Sequence, residues 1–188
     1  TSIYGSSIKK VDENTKDLKP QSPYAQVKLL EENFLKKNKS KLDFITLRLG
    51  TITGISKGMR FHTAVNKFCW QAAMHQPITV WKSAYNQYRP YLDIIDAARA
   101  ISFAIDNVNF DGKIYNILTI NTSVKFIIKI LKKYIKNIKI KKVNSQIMNQ
   151  LSYHVSNKRF ILEGFKYKGN LDKQILKTIK LIQNANTL

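Results

Sequence analysis

The amino-acid sequence predicts an α/β fold that contains parallel strands, and two kinds of pattern support this. Residues 44–49 are apolar at almost every position, which is typical of a strand covered on both faces, as in a parallel sheet. Helical signals lie on either side of this run. Ser22 and Pro23 suit the N-cap and first position of a helix, and residues 124–136 place an apolar stripe opposite a row of lysines.

The first predicted helix runs from Pro23 to about residue 37. Val27, Leu30 and Phe34 recur at helical spacing and are expected to form its buried stripe, with Glu31 and Glu32 facing solvent. Residues 50–54 leave the carboxyl end of the following strand, where ligands bind in open α/β sheets. Thr51 is therefore a candidate contact from its position alone.

The other expected elements follow from the same patterns. Residues 1–5 are expected to end a strand, and 6–21, 55–60 and 82–90 to form loops. Helices are expected at 61–75 and 95–106, from Asn121 onward, and at 171–183. Strands are expected at 77–81, 114–118 and 138–143.

The composition narrows the class of protein. The chain has 188 residues and a net charge of +20, from 32 Lys and Arg against 12 Asp and Glu. A basic nucleic-acid-binding module is one hypothesis, based on the lysines at 125–142, but aromatic residues do not alternate with them as stacking platforms would, so nucleic acid is disfavoured. The single cysteine forms no internal disulfide. Without a membrane-spanning run or metal-ligand spacing, a cytoplasmic location without membrane or metal is expected.

Tyr24 and Lys28 form the candidate catalytic pair. They are four residues apart, so they share one face of the predicted helix. An ammonium beside a phenol stabilises the phenolate, which lets the hydroxyl exchange a proton closer to neutral pH. The same spacing also arises by chance in a chain with 9 Tyr and many Lys, so the pair alone leaves an ordinary surface helix as an alternative.

Several motifs in order along the chain carry a family resemblance. They are residues 1–5 (TSIYG), 22–28 (SPYAQVK), 47–54 (LRLGTITG), 58–61 (GMRF), 88–100 (YRPYLDIIDAARA) and 152–156 (SYHVS). Together the motifs resemble the C-terminal part of an extended short-chain dehydrogenase/reductase, of the NAD-dependent nucleotide-sugar epimerase/dehydratase type. The resemblance implies the C-terminal part of a Rossmann-like doubly wound parallel sheet with a small α/β substrate-binding lobe.

The resemblance also assigns roles to residues. Tyr24 would be the acid/base that takes a proton from a sugar hydroxyl while hydride leaves the same carbon for NAD, and Lys28 would assist it and hydrogen-bond the nicotinamide ribose. The remaining implied contacts are Leu49, Gly50 and Thr51 beside the nicotinamide, Thr51 also beside the sugar, Arg89 at the nucleotide diphosphate, and Arg60, Tyr153 and His154 as weaker substrate contacts. Relatives often carry arginine at the position of His154, which would hold phosphate more firmly than a neutral imidazole.

The implied organisation is a partial NAD-binding region at 1–54 and a nucleotide-sugar-binding lobe at 55–188, interleaved with Rossmann elements at about 91–118. The chain has 7 Gly but no Gly-rich pyrophosphate motif, so it is expected to be an inactive fragment of its parent protein. The resemblance separately implies that the full-length protein is a homodimer through the Tyr24 helix. The sugar, the nucleotide and the choice between NAD and NADP stay open.

The alignment of residues 1–5 with the family motif favours one type of reaction. In dehydratases of this kind the two positions occupied here by Thr1 and Ser2 are Asp and Glu, and related decarboxylases have Glu at the second. Neither Thr nor Ser acts as a carboxyl acid/base, which favours epimerisation through a transient keto sugar. A reductase or dehydratase of the family, and a catalytically inactive member, are the alternatives.

Overall fold

The structure, a computed structural model, describes residues 1–7, 9–144 and 152–185. These residues contain six α-helices, seven strands and two short 3-10 helices. The α-helices are Pro23–Lys37 (α1), Ala64–Ala73 (α2), Ile94–Asn107 (α3), Val124–Tyr134 (α4), Lys158–Leu162 (α5) and Leu171–Ala185 (α6). The strands are Phe44–Leu49 (β1), Thr51–Thr53 (β2), Ile78–Trp81 (β3), Tyr88–Asp93 (β4), Asp111–Ile117 (β5), Ile120–Ser123 (β6) and Ile140–Val143 (β7); the 3-10 helices are Ser2–Tyr4 and Lys82–Ala84.

The strands form three small sheets in which parallel pairing dominates. Strand β1 pairs with β5, β2 with β4 and β3 with β7, all parallel, while β4 pairs antiparallel with β6. Backbone hydrogen bonds link the β1–β5 sheet to the β2–β4–β6 sheet at the short connections between their strands. Gly50 N donates to the Ile117 carbonyl at 2.8 Å, and Thr119 N donates to the Tyr91 carbonyl at 2.9 Å. The parallel α/β architecture expected from the sequence is confirmed.

The two larger of three hydrophobic clusters in the described part of the chain stabilise these layers. The first core lies between α2, α4, α6 and β3, and includes Phe68, Val80, Ile127, Leu131 and Ile175. The second core lies under α3 against β5, and includes Ala100, Tyr115, Ile117, Phe160 and Phe165. Strand β4 belongs to both, because Tyr91 packs in the first core and its neighbour Leu92 in the second.

Helix α1 begins and ends where the sequence predicts. Its N-cap is Ser22, whose Oγ accepts a hydrogen bond from Ala25 N at 3.2 Å. The prediction of a buried stripe is wrong, because Val27, Leu30 and Phe34 are 50%, 66% and 63% exposed. The pattern marked an apolar face correctly, but nothing among the described residues covers that face.

The inward side of α1 is polar where the sequence predicts solvent. Glu32, expected to face out, is buried and accepts two hydrogen bonds from Arg48 of β1, from Nε at 2.9 Å and from Nη2 at 2.7 Å. Arg48 Nη1 also donates to the Tyr4 hydroxyl at 2.7 Å, which in turn donates to Asn116 Oδ1 at 2.9 Å. This chain of bonds ties α1 to β1, β5 and the first 3-10 helix.

Three local predictions need correction. Residues 2–4 form a 3-10 helix instead of a strand end. Arg89 lies in β4 instead of a loop, and residues 121–123 lie in β6 instead of starting a helix, because these two segments pair with each other. Ser123 is the N-cap of α4, with its Oγ accepting from Phe126 N at 3.3 Å.

Helix α4 has its apolar stripe buried as predicted. Residue 8 of the predicted loop 6–21, and residues 145–151 and 186–188 of the predicted lobe, lie outside the described residues.

Candidate active site

Tyr24 stands in the first turn of α1 with its side chain turned to solvent, 65% exposed. The Lys28 ammonium lies 5.7 Å from the centre of the Tyr24 ring, as the spacing of four residues predicts. Lys28 Nζ also donates to Glu31 Oε2 at 2.8 Å, and this hydrogen bond raises the pKa of Lys28. The pair is therefore a phenol beside a firmly protonated cation, both open to a ligand.

The carboxyl end of β1 brings three predicted residues to one edge. The Leu49 carbonyl accepts a hydrogen bond from the Thr1 nitrogen at 3.0 Å, which places the first 3-10 helix beside the end of the strand. Gly50 follows at a point of close packing, where a Cβ would lie 3.2 Å from the Pro90 carbonyl oxygen. Thr51 then opens β2 opposite Tyr91.

Thr51 lines a cavity of about 290 Å³. Its walls come from β2, the N-terminal half of α2, β3 and β4, together with the start of α4. The lining residues are Thr51, His62, Thr63, Ala64, Lys67, Phe68, Thr79, Val80, Trp81, Ala84, Arg89, Tyr91 and Val124. The lining contains three basic side chains, flat and branched apolar side chains and no carboxylate, so it suits an anionic ligand with a flat apolar part.

Arg89 is half-buried on β4 and its charge reaches two buried tyrosines. Burial raises the pKa of Tyr91 to about 12, and the positive charge of Arg89 acts in the opposite direction. Burial likewise raises the pKa of Tyr153, against the effect of a hydrogen bond with Thr1 and of Arg89. Arg89 and Tyr91 line the cavity, whereas Tyr153 lies outside its lining and packs with Tyr4, Val11 and Leu118.

The weaker candidates occupy different places. Tyr153 is buried outside the lining of the cavity, and its nitrogen donates to the Tyr88 carbonyl at 3.1 Å. The His154 ring lies 4.4 Å from that of Tyr88. Arg60 is exposed and is not among the lining residues. Its carbonyl accepts from Thr63 Oγ1 and Asn66 Nδ2, both at 3.1 Å, which fixes the turn before α2.

The structure thus brings Thr51 and Arg89 together in one cavity, while Tyr153 and His154 lie outside its lining. Tyr24 and Lys28 lie on α1, outside the lining of the cavity.

The lining residues that sequence reasoning missed include His62, Lys67 and Trp81. His62 directly follows the 58–61 motif, but no pattern in the sequence assigns it a contact. The one available signal was spacing, because Thr63 and Lys67 are four residues apart and share a helix face. That spacing does not indicate that this face meets β3 and β4.

Two further observations concern metal ions and membrane-spanning helices. Within residues 1–7, 9–144 and 152–185, no three His, Cys, Asp or Glu side chains are grouped so that they could hold a metal ion. In the same residues, no helix combines the length and apolar character needed to cross a bilayer.

Solved enzymes share this fold. UDP-glucose 4-epimerase of Thermus thermophilus, in complex with NAD, matches with a TM-score of 0.84 at 20% identity, over 98% of this chain and 61% of its own. UDP-glucuronic acid 4-epimerase of Bacillus cereus, in complex with UDP-glucuronic acid and NAD, matches with a TM-score of 0.83 at 22% identity, over 98% of this chain and 60% of its own. dTDP-glucose 4,6-dehydratase of Bacillus anthracis str. Ames, in complex with NAD, matches with a TM-score of 0.81 at 16% identity, over 99% of this chain and 60% of its own. The fold is therefore that of Rossmann-type epimerases and dehydratases, and the chain spans about 60% of their length.

The chain belongs to the NAD dependent epimerase/dehydratase family, which matches residues 1–117. A similar curated protein is the chloroplastic UDP-sulfoquinovose synthase of Spinacia oleracea. It is 40% identical over 67 residues, which are 35% of this chain and 14% of that protein. The resemblance inferred from the motifs is confirmed.

Proposed function

We propose that this chain is the part of an NAD-dependent nucleotide-sugar epimerase that carries the catalytic tyrosine and most of the substrate site. The observation that carries the proposal is the carboxylate-free cavity next to the carboxyl end of β1, with Thr51 and Arg89 in its wall. The open Tyr24–Lys28 pair supports it, because it supplies a proton-transfer group in a chain of this family.

The proposal gives separate roles in proton transfer and in substrate binding to the candidate residues. Tyr24 accepts the proton of a sugar hydroxyl and later returns it, while the Lys28 ammonium stabilises the phenolate that forms between these steps. Arg89 binds the nucleotide diphosphate through its planar fork of donors, and Thr51 hydrogen-bonds the sugar. Tyr153, which senses the charge of Arg89, and His154, whose ring lies 4.4 Å from that of Tyr88, stand outside the cavity lining and have no direct contact with substrate in this proposal.

The chain's residues fit the nicotinamide end of NAD. Tyr24 and Lys28 are open to solvent, and the half-buried Leu49 and buried Gly50 stand at the carboxyl end of β1. When bound, NAD supplies the acceptor and donor of a hydride. Lys28 would hydrogen-bond the ribose of the cofactor. To do so, its ammonium would give up its hydrogen bond to the Glu31 carboxylate.

Epimerisation is favoured over elimination by the side chains next to the site. Thr1 and Ser2 stand beside the end of β1 and carry hydroxyl groups, which are too weakly acidic at neutral pH to protonate a sugar hydroxyl so that it leaves as water. A keto sugar formed here would therefore keep its substituents until the hydride returns.

The proposal is tested by incubating the full-length protein with NAD and a panel of UDP-sugars, starting with UDP-glucose and UDP-glucuronic acid. An epimerase converts substrate and product in both directions with no net formation of NADH, as NMR of the sugar protons and absorbance at the NADH band would show. Stoichiometric use of NADH would identify a reductase, and loss of one water a dehydratase. Absence of any turnover, together with absence of bound NAD(H), would contradict the proposal.

The exposed stripe on α1 supports a homodimer. Val27, Leu30 and Phe34 form an uncovered apolar row on one helix face, and a second copy of α1 would cover it. A Leu30→Lys/Phe34→Lys variant of the full-length protein is expected to be monomeric by light scattering, because the lysines would be buried without partners. Ile105→Lys on α3 is the matched control, since Ile105 is equally exposed at 65%, and it should keep the wild-type mass. A double variant with unchanged mass would exclude this interface.

A further inference from the structure

Lys67 is a cation of the cavity to which the proposed function gives no task. It lies in the first half of α2, half-buried, and lines the same cavity as Arg89. Among the described residues no carboxylate pairs with its ammonium, and the lining itself contains none. A partly buried ammonium without a counter-ion is electrostatically unfavourable, so an anionic ligand would improve its environment.

The packing of the lobe fixes where Lys67 and Arg89 stand. Lys67 is flanked on α2 by Val65 and Phe68, and Arg89 is followed on β4 by Tyr91; all three of these neighbours are buried in the first core. The backbones that carry the two cations are therefore held by one packed cluster. Two positive groups on different walls of one cavity form a site with two fixed points of attraction.

We propose that Lys67 is the second cation of a two-point clamp on the substrate diphosphate, and that it selects nucleoside diphosphates over monophosphates. The clamp rests on the proposed function, because it refines how the same cavity holds its ligand. Arg89 takes one phosphate through its fork of N–H donors, and the Lys67 ammonium takes the other as a point charge. The apolar walls at Phe68 and Trp81 leave room for the flat base.

The clamp has a simple consequence for ligand preference. A nucleoside monophosphate offers one phosphate, which Arg89 alone can bind, so Lys67 contributes little to its affinity. A diphosphate engages both cations. A charge-assisted hydrogen bond of this kind corresponds to about a tenfold or larger difference in Kd.

The test uses titrations of the full-length protein with UDP and with UMP, followed by calorimetry and by tryptophan fluorescence, since Trp81 lines the cavity. Lys67→Gln is expected to weaken UDP binding about tenfold or more while changing UMP binding less than about threefold. Lys67→Arg keeps the charge and should retain most of the preference for UDP. Lys180→Gln is the matched control, because Lys180 is exposed on α6 outside the cavity, and both of its affinities should stay unchanged.

The outcomes separate the clamp from the proposed function. If wild type prefers UDP and Lys67→Gln keeps that preference, or loses UDP and UMP affinity equally, the clamp is wrong and the proposed function stands. If wild type shows no preference for UDP or binds neither nucleotide, the clamp is wrong, and the proposed function is judged separately by UDP-sugar turnover and bound NAD(H). Circular dichroism and thermal unfolding of each variant confirm that a lost affinity does not reflect a lost fold.

Discussion

A Tyr24→Phe variant of the full-length protein is expected to lose kcat by about 10²–10⁴-fold, the usual contribution of a general acid/base. Phenylalanine keeps the ring beside Lys28 and removes only the hydroxyl that exchanges the proton. Because Tyr24 lies outside the lining of the cavity, the Kd for UDP should stay within about twofold of wild type. Steady-state kinetics with the identified UDP-sugar, together with UDP titration, measure both quantities.

Tyr134→Phe is the matched control for this prediction. Tyr134 is also a partly exposed tyrosine on a helix, but its hydroxyl bonds to Asp172 of α6, away from α1. Its loss should leave kcat unchanged. Wild-type kcat in the Tyr24→Phe variant would remove Tyr24 from the mechanism, and with it the main chemical argument for the proposed reaction.

A Glu32→Ala variant is expected to lose about 3–5 kcal/mol of unfolding free energy. Arg48 and Glu32 are both buried, and their two hydrogen bonds of 2.9 and 2.7 Å offset the cost of keeping both charges from water. Without Glu32 the Arg48 guanidinium would stay buried with the Tyr4 hydroxyl and no counter-charge. Urea titration followed by circular dichroism measures the loss.

The neighbouring residue provides the control for stability. Glu31 also forms an ion pair one position earlier on α1, but its partner Lys28 and its own carboxylate are exposed. Glu31→Ala should therefore change the unfolding free energy by less than about 1 kcal/mol. A Glu32→Ala/Arg48→Met double variant should recover part of the loss, because no unpaired charge is left. Equal stability of the Glu32→Ala and Glu31→Ala variants would show that the buried pair contributes nothing.

Local signals in the sequence were sufficient for the elements around the site. Ser22 and Pro23 located the start of α1, since a cap and a first-turn proline act within one turn. The apolar run located β1, and its parallel partner agrees with burial on both faces. Position after a strand was enough to indicate Thr51, which lines the cavity.

Longer-range features could not be predicted in the same way. The stripe on α1 identified an apolar face, but periodicity does not state what covers a face. Glu32 is buried because Arg48 lies beneath it, and no local pattern links these two positions. Lys67 and Trp81 reach one cavity only because α2 and β3 pack around the same core, which is a property of the tertiary arrangement.

The position of β4 has a consequence for how the molecule unfolds. Tyr91 and Leu92 are consecutive residues, and each anchors a different hydrophobic core. Detaching the strand from one core would pull it from the other, so neither cluster can melt independently at low cost. The two cores are therefore expected to behave as one cooperative unit, and the wall that carries Arg89 stays as stable as the whole.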